Sequence, residues 1–315
     1  MASVVANAYS LGDAATLVGP VARGEVGQVW RLDAAAGVFA VKEPFQPSDD
    51  GWAEGFREAA EFQDTARSAG VYSPGVVRNQ SGDVVAWFDR SPVRIYEWVD
   101  MAPADGGIDP EAVGSMLARL HTCGFEGRVG THWWYRAPVG ADRWDELVEG
   151  TERAGAPFAA DLRAMRDELV ALEALLVPAR ELRTCHRDLW ADNLRPTRTG
   201  GMCVIDWENC GLADPGQELS GVLFEFWGGE PDRARALYRE YRRSGGPGRV
   251  DRRGSFSMTI AQLGHITEIS CRAWLDPSET DEERRRQVGR VAECTDDPLT
   301  LDVIDGILDA LPACD

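Results

Sequence analysis

Lysine is almost missing from this chain: Lys42 is the only one among 33 lysines and arginines. A sequence that uses arginine everywhere else, and keeps one lysine at the end of the strand-like run Val38-Phe39-Ala40-Val41, asks there for a compact ammonium rather than a planar fork. Positive charge is scarce altogether, since 33 basic against 52 acidic residues leave a net charge of −19. Nucleic acid and anionic membrane surfaces bind through clustered positive charge, so neither is expected as a partner. An acidic surface instead draws cationic ligands toward it. Closely spaced cysteines are also lacking. The seven (Cys123, Cys185, Cys203, Cys210, Cys271, Cys294 and Cys314) are scattered and odd in number, which argues against a disulfide framework or a zinc site. No apolar run approaches the ~20 residues of a membrane span. No basic segment followed by an apolar stretch opens the chain, so the expected setting is the cytoplasm, with reduced thiols.

What is present reads as an α+β chain. The length, 315 residues, permits one large or two modest domains with a full core. Val18 to Val21, Val29 to Leu32 and Val38 to Val41 are strand-like, and Gly24 and Gly27 lie in the turn between the first two. Glycines at that spacing let backbone amides approach phosphate oxygens, and an ordinary hairpin turn needs them equally. Trp52 to Ala69 has helical spacing; two further strands are expected, Gly75 to Val77, and Val84 to Phe88 running into Val93 to Tyr96. Beyond residue 98 the pattern turns helical. Asp109-Pro110-Glu111 is a strong helix start, and helices are expected over Pro157 to Leu176, Leu219 to Trp227, Pro231 to Arg242 and Phe256 to Leu275.

The chemistry concentrates at residues 186–206. In His186-Arg187-Asp188-Leu189-Trp190-Ala191-Asp192-Asn193 an aspartate precedes an asparagine by five positions, and Asp206 closes the apolar run Met202-Cys203-Val204-Ile205. Phosphoryl transfer requires a carboxylate to take the proton of the attacking hydroxyl and oxygen ligands to hold magnesium on the phosphates. Asp188 suits the first role, and Asn193 with Asp206 the second, because Mg²⁺ prefers hard oxygen donors. Aspartate and asparagine also populate ordinary turns. The ordered set Lys42, Asp188, Asn193, Asp206 is what lifts the pattern above that bland reading.

With those residues in place, the chain resembles the aminoglycoside phosphotransferase family of small-molecule kinases. The resemblance runs from about Val18 to Leu219. It is carried by Cys185 to Leu194, by Val204-Ile205-Asp206-Trp207-Glu208 and by Asp214-Pro215-Gly216-Gln217-Glu218-Leu219. Arg187 stands where family members often have a small residue, and Glu218 where they often have Asp. The resemblance implies a bilobal protein-kinase-like fold, with a small antiparallel-sheet lobe over residues 1–98 and a mostly helical lobe over 99–315. It implies that ATP (GTP is not excluded) and Mg²⁺ are the cofactors. It implies further that Glu58 pairs with the phosphate-gripping Lys42, and that the Glu97 carbonyl and the Val99 N–H bind the adenine edge.

The expected activity is transfer of a phosphoryl group to a hydroxyl of a small, cationic molecule by a monomer or dimer. An aminoglycoside or basic peptide antibiotic comes first; a sugar, amino sugar or amino alcohol is the alternative. Only seven residues separate Asp206 from Asp214, too few for the activation segment of a protein kinase. A silent ATP-binding scaffold would have no use for Asp188. Substrate groups are sought in the helical part, where Glu225, Glu230, Glu268 and Asp276 could meet ammonium groups. Trp133, Trp134, Tyr135 and Trp274 could stack on a ring. Each of these, taken singly, is more at home in core packing or as a solvated acid.

Overall fold

A computed structural model describes residues 1–24, 27–45, 50–88, 90–104 and 107–312. The chain divides into two compact units. One comprises Met1–Ile108, Arg119–Val129 and His186–Leu212, the other Asp109–Ala118, Gly130–Cys185 and Ala213–Asp315. This grouping by packing draws its lines elsewhere than the expected lobe boundary at residue 98. The His186–Leu212 segment groups with the N-terminal strands because hydrogen bonds hold it there. Val204 N–H donates to Tyr72 O (2.9 Å), Arg198 N–H to Asp100 O (3.1 Å) and Ala102 N–H to Pro196 O (2.8 Å). The Trp207 indole adds a bond to Ser73 Oγ (3.0 Å).

In the first unit a short helix α1 (Ala2–Ala8) precedes six strands: β1 (Ala15–Arg23), β2 (Gly27–Ala34), β3 (Gly37–Pro44), β4 (Val76–Val77), β5 (Val85–Phe88) and β6 (Ser91–Glu97). All pairings are antiparallel, in the order β1-β2-β3-β6-β4, with β5 also on β6. Helix α2 (Asp50–Ser68) lies between β3 and β4 in sequence. Alternation along β3 sends Phe39 and Val41 into a core with Leu32, Val93 and Ile95, roofed by Val5, Ala6 and Tyr9. Lys42, next in line, therefore faces the other way. Strand β6 departs from simple alternation: Pro92, Val93, Arg94 and Ile95 are all buried. Its arginine is the exception that needs an explanation.

The second unit is helical. Helix α3 (Pro110–Thr122) begins on Asp109, whose carboxylate accepts from Glu111 N–H (3.1 Å). Then come α4 (Ala141–Ala154), α5 (Ala159–Glu173), α6 (Pro215–Trp227), α7 (Pro231–Arg243), α8 (Ser257–Leu275), α9 (Asp281–Thr295) and α10 (Leu301–Ala310). Helix α8 packs on α4, α5, α6 and α9, around a core that includes Trp144, Leu162, Cys271 and Val291. Asp214 caps α6, with Oδ1 accepting from Gly216 N–H (2.8 Å) and Oδ2 from Arg180 N–H (2.6 Å). No disulfide joins the described cysteines, Cys314 lying outside the described residues. No described helix is long and apolar enough to cross a membrane.

Candidate active site

The β3–β6 register sets Lys42 directly opposite Arg94. Like charges facing each other across an antiparallel pair repel, so the sheet needs an anion there. Glu208 supplies it: Oε1 lies 2.7 Å from Lys42 Nζ and also accepts from Arg94 Nη1. Asp206 Oδ1 takes a second position on the ammonium, at 2.7 Å. The Arg94 guanidinium stacks over the Phe56 ring of α2, 3.7 Å from its centroid. Two cations and two acidic side chains thus meet in one network. Burial opposes charge on Lys42, but Glu208 and Asp206 outweigh it and raise its pKa above the ordinary lysine value. Burial likewise works against an ionised Glu208, yet Lys42 and Arg94 hold its carboxyl well below the usual range. Asp206 moves the other way, to about 7, through desolvation and the like charge of Glu208.

The expected Lys42–Glu58 pair is not what forms. Glu58, only 2% exposed, accepts hydrogen bonds from the backbone N–H groups of Arg128 (2.6 Å) and Val129 (2.8 Å). A buried carboxylate with two backbone donors is already satisfied. The helix reaches the lysine network through Phe56 and Arg94 instead. Glu208 and Arg94 were not picked out as site residues from sequence. Their signals are an acid two positions past Asp206 and an arginine inside an otherwise apolar strand.

Asp188 sits on a tight loop. Its Oδ2 accepts from Asn193 Nδ2 and from Asn209 Nδ2, each at 3.0 Å, and Asn193 Nδ2 also reaches Asp188 O (2.9 Å). Ile205 N–H donates to Asn193 O (3.0 Å), which brings Asp206 back beside the loop. His186 Nε2 lies 3.1 Å from Ile205 O, and its ring meets the Trp207 indole edge-on at 5.0 Å, so it is a packed histidine. Two non-glycine residues here have left-handed backbones, Arg187 (φ 65°) and Asp206 (φ 63°). Such strain persists only where the surroundings enforce it. Burial raises the Asp188 carboxyl above its ordinary range, against the opposing effects of His186, Asn209 and Trp190. Asp188, with the oxygens of Asn193 and Asp206 held on the adjoining turn, offers a base for a hydroxyl proton and donors for a hard cation.

The remaining expected contacts fall differently. Gly24 N–H donates to Gly27 O (2.9 Å), closing the β1–β2 turn. Glu25 and Val26 lie outside the described residues. Gly27 is required by close approach, since a Cβ there would lie 2.6 Å from Glu43 O. Glu97 ends β6 with its N–H on Gly75 O (2.8 Å), and Trp98 N–H meets Val38 O (3.2 Å), immediately before Val99. Of the proposed substrate residues, Glu268 belongs to an aromatic group. It is paired with Arg143 (3.1 Å) and lies 3.5 Å from His265, whose ring stacks on Trp134 and meets Trp133 edge-on. Trp274 instead packs edge-on against Phe158 in the core. Asp276 caps a turn through Ser278, and Glu230 stands at the N-cap of α7. Glu225 lies on α6.

The family model for the phosphotransferase enzyme family matches residues 18–253. The chain belongs to that family. It is a phosphotransferase, a kinase. Three solved structures show the shared fold. A spectinomycin phosphotransferase in complex with ADP and spectinomycin is 13% identical, with 94% of this chain and 92% of that one covered and a TM-score of 0.66. An aminoglycoside phosphotransferase from Alicyclobacillus acidocaldarius is 16% identical, covering 96% and 93%, with a TM-score of 0.62. A choline/ethanolamine kinase family protein from Mesorhizobium loti is 19% identical, covering 93% of each chain, with a TM-score of 0.50. No curated protein sequence matches the chain. The phosphotransferase has the protein-kinase-like fold, an antiparallel sheet followed by a helical part.

Proposed function

We propose that this phosphotransferase moves the γ-phosphoryl group of ATP to a hydroxyl of a small cationic molecule, with an aminoglycoside or basic peptide antibiotic as the preferred class. The observation that carries the reading is the Lys42–Asp206 contact beside the Asp188–Asn193 loop. One ammonium, one candidate base and two candidate cation ligands are gathered within a single compact unit. Lys42 would grip the α- and β-phosphates. Asp188 would accept the acceptor's proton, and burial, which pushes its carboxyl upward, makes it a stronger base than a solvated aspartate.

The oxygen donors fit magnesium. Asn193 directs Nδ2 to Asp188, which leaves Oδ1 as its ligand atom. Asp206 offers a carboxylate. Among the described residues, Glu208 Oε2 is buried without a hydrogen-bond partner, a third hard oxygen two positions from Asp206. When bound, the ion neutralises charge on the β- and γ-phosphates.

A cationic acceptor is favoured by the net charge of −19, and the exposed Trp133 of the helical unit offers a ring face for it. The solved relatives named for spectinomycin and aminoglycosides support the antibiotic reading. The one named for choline and ethanolamine supports an amino alcohol as the second reading. Release of ADP should be measured across aminoglycosides, tuberactinomycin-type peptides, macrolides, sugars and choline, for wild type and Asp188→Asn. At least one polycationic compound should turn over, and the substitution should slow transfer by about 10²-fold at near-unchanged ATP affinity. Turnover of neutral sugars with every polyamine inert would end the cationic reading. A fully active Asp188→Asn would end the assignment of the base.

A further inference from the structure

We propose that Asn209, held in place by Arg187, is a positioning residue that fixes the Asp188 carboxylate for catalysis; this rests on the reading of Asp188 as the base. Asp188 Oδ2 receives two amide donors from different directions, Asn193 Nδ2 and Asn209 Nδ2, each at 3.0 Å. One donor leaves a carboxylate free to rotate about its terminal torsion, which is a broad well. Two donors on the same oxygen set its plane, and with it the direction of the other oxygen. Hydrogen bonds to an ionised acceptor are also the strong ones.

Arg187 explains why Asn209 is in reach. Its guanidinium is buried, Nε donating to Asn209 O (2.6 Å) and Nη2 to Cys210 O (2.8 Å). The planar fork thus holds the backbone of the residue whose side chain holds Asp188. A small residue at 187 has no such reach. The geometry demands glycine at 211 as well, because a Cβ there would lie 2.5–2.8 Å from three guanidinium atoms. Asn209 ends the 3₁₀ turn Trp207–Asn209, which Cys210 N–H closes onto Trp207 O (3.0 Å). Arg187, Asp188, Asn209 and Gly211 form one device, built from a loop and the turn that follows Asp206.

In the transfer step the acceptor oxygen forms its bond to the γ-phosphorus as its proton passes to Asp188. The bond from phosphorus to the β,γ-bridging oxygen breaks, and ADP leaves with that electron pair. Asn209 takes no proton. It keeps the receiving oxygen where the hydroxyl arrives.

Asn209 is exposed, so replacing it should leave the fold intact, and the probe can be Mg·ATP with water as acceptor. Asn209→Ala should lower the turnover of ADP release by about tenfold or more, with KM for ATP and the melting temperature unchanged. Asn209→Asp keeps the shape, removes the donor and adds a like charge, so it should fall at least as far. Neither effect should add to that of Asp188→Asn, because a positioning residue has nothing left to position. Arg187→Lys keeps charge without the fork and should lower turnover in the same non-additive way. Wild-type turnover in Asn209→Asp, or a double variant clearly slower than Asp188→Asn, would overturn the proposal. Loss of turnover in Asn209→Ala alongside a fully active Asp188→Asn would instead point to failure of the base assignment on which it stands.

Discussion

A single ammonium carries more here than its charge. Lys42 Nζ accommodates two carboxylate oxygens at 2.7 Å on one nitrogen, a convergence that a guanidinium spreads over separate nitrogens. Lys42→Arg should therefore reduce kcat/KM for ATP by about 10²-fold in a steady-state ADP-release assay. Activity within twofold of wild type would show that charge alone suffices. Glu208 has the complementary role, because it holds Lys42 and Arg94 together across the sheet. Glu208→Gln leaves the buried Arg94 without its carboxylate and Lys42 with Asp206 alone, and should cost about 3 kcal/mol of stability at pH 7 by denaturant titration. The folded pKa of Glu208 lies below its ordinary value of 4.5. Its contribution is therefore fully present above the unfolded pKa and is lost as pH falls through the folded one. The gap between variant and wild type should close in acid below about pH 4.5. A gap that widens there would contradict the ion-pair origin of the effect.

Among the elements, α2 shows where sequence reading succeeds and where it stops. Its existence and length were legible from helical spacing, and so were β1 to β4, the run that holds β5 and β6, α3 and most of α5 to α8. The partner of Glu58 was not. Helical periodicity says which face is buried, but not which backbone amides a carboxylate on that face will meet after folding. Arg128 and Val129 lie 70 and 71 positions away in sequence. Glu58→Ala should accordingly act on stability, by about 1–3 kcal/mol, with KM for ATP little changed. A large rise in KM at unchanged stability would restore the lysine-pairing role. Other elements escaped for separate reasons. Helix α4 carries its stripe on Trp144, Leu147, Val148 and Thr151, next to an aromatic segment that read more readily as a binding surface. Helix α9 opens on Asp281, Glu282 and Glu283, and of its side chains Gln287 and Val291 are the buried ones, which leaves almost no apolar stripe to read. The motif residues Asp188, Asn193 and Asp206 were legible because turn chemistry is local. Glu208 and Arg94 were missed because their meaning lies in strand register.

At the scale of the whole molecule, the excess of acids over bases should govern how substrates arrive. Long-range attraction is screened over about 10 Å at 0.1 M salt. KM for a cationic acceptor should rise several-fold between about 0.05 and 0.5 M salt, while that for a neutral acceptor stays nearly flat. Equal responses would mean that net charge serves solubility alone. The Arg187 fork has a consequence of another kind. In kinases that are switched on by modification, arginines meet a phosphate on a mobile loop, and the new pair orders that loop. Here the arginine beside Asp188 already holds the carbonyls of Asn209 and Cys210, and the stretch between Asp206 and Asp214 that contains them is only seven residues long. No phosphate is needed to complete it. An arginine already committed to those two carbonyls gives a modification of that kind nothing to switch, so the order of the loop is set when the chain folds.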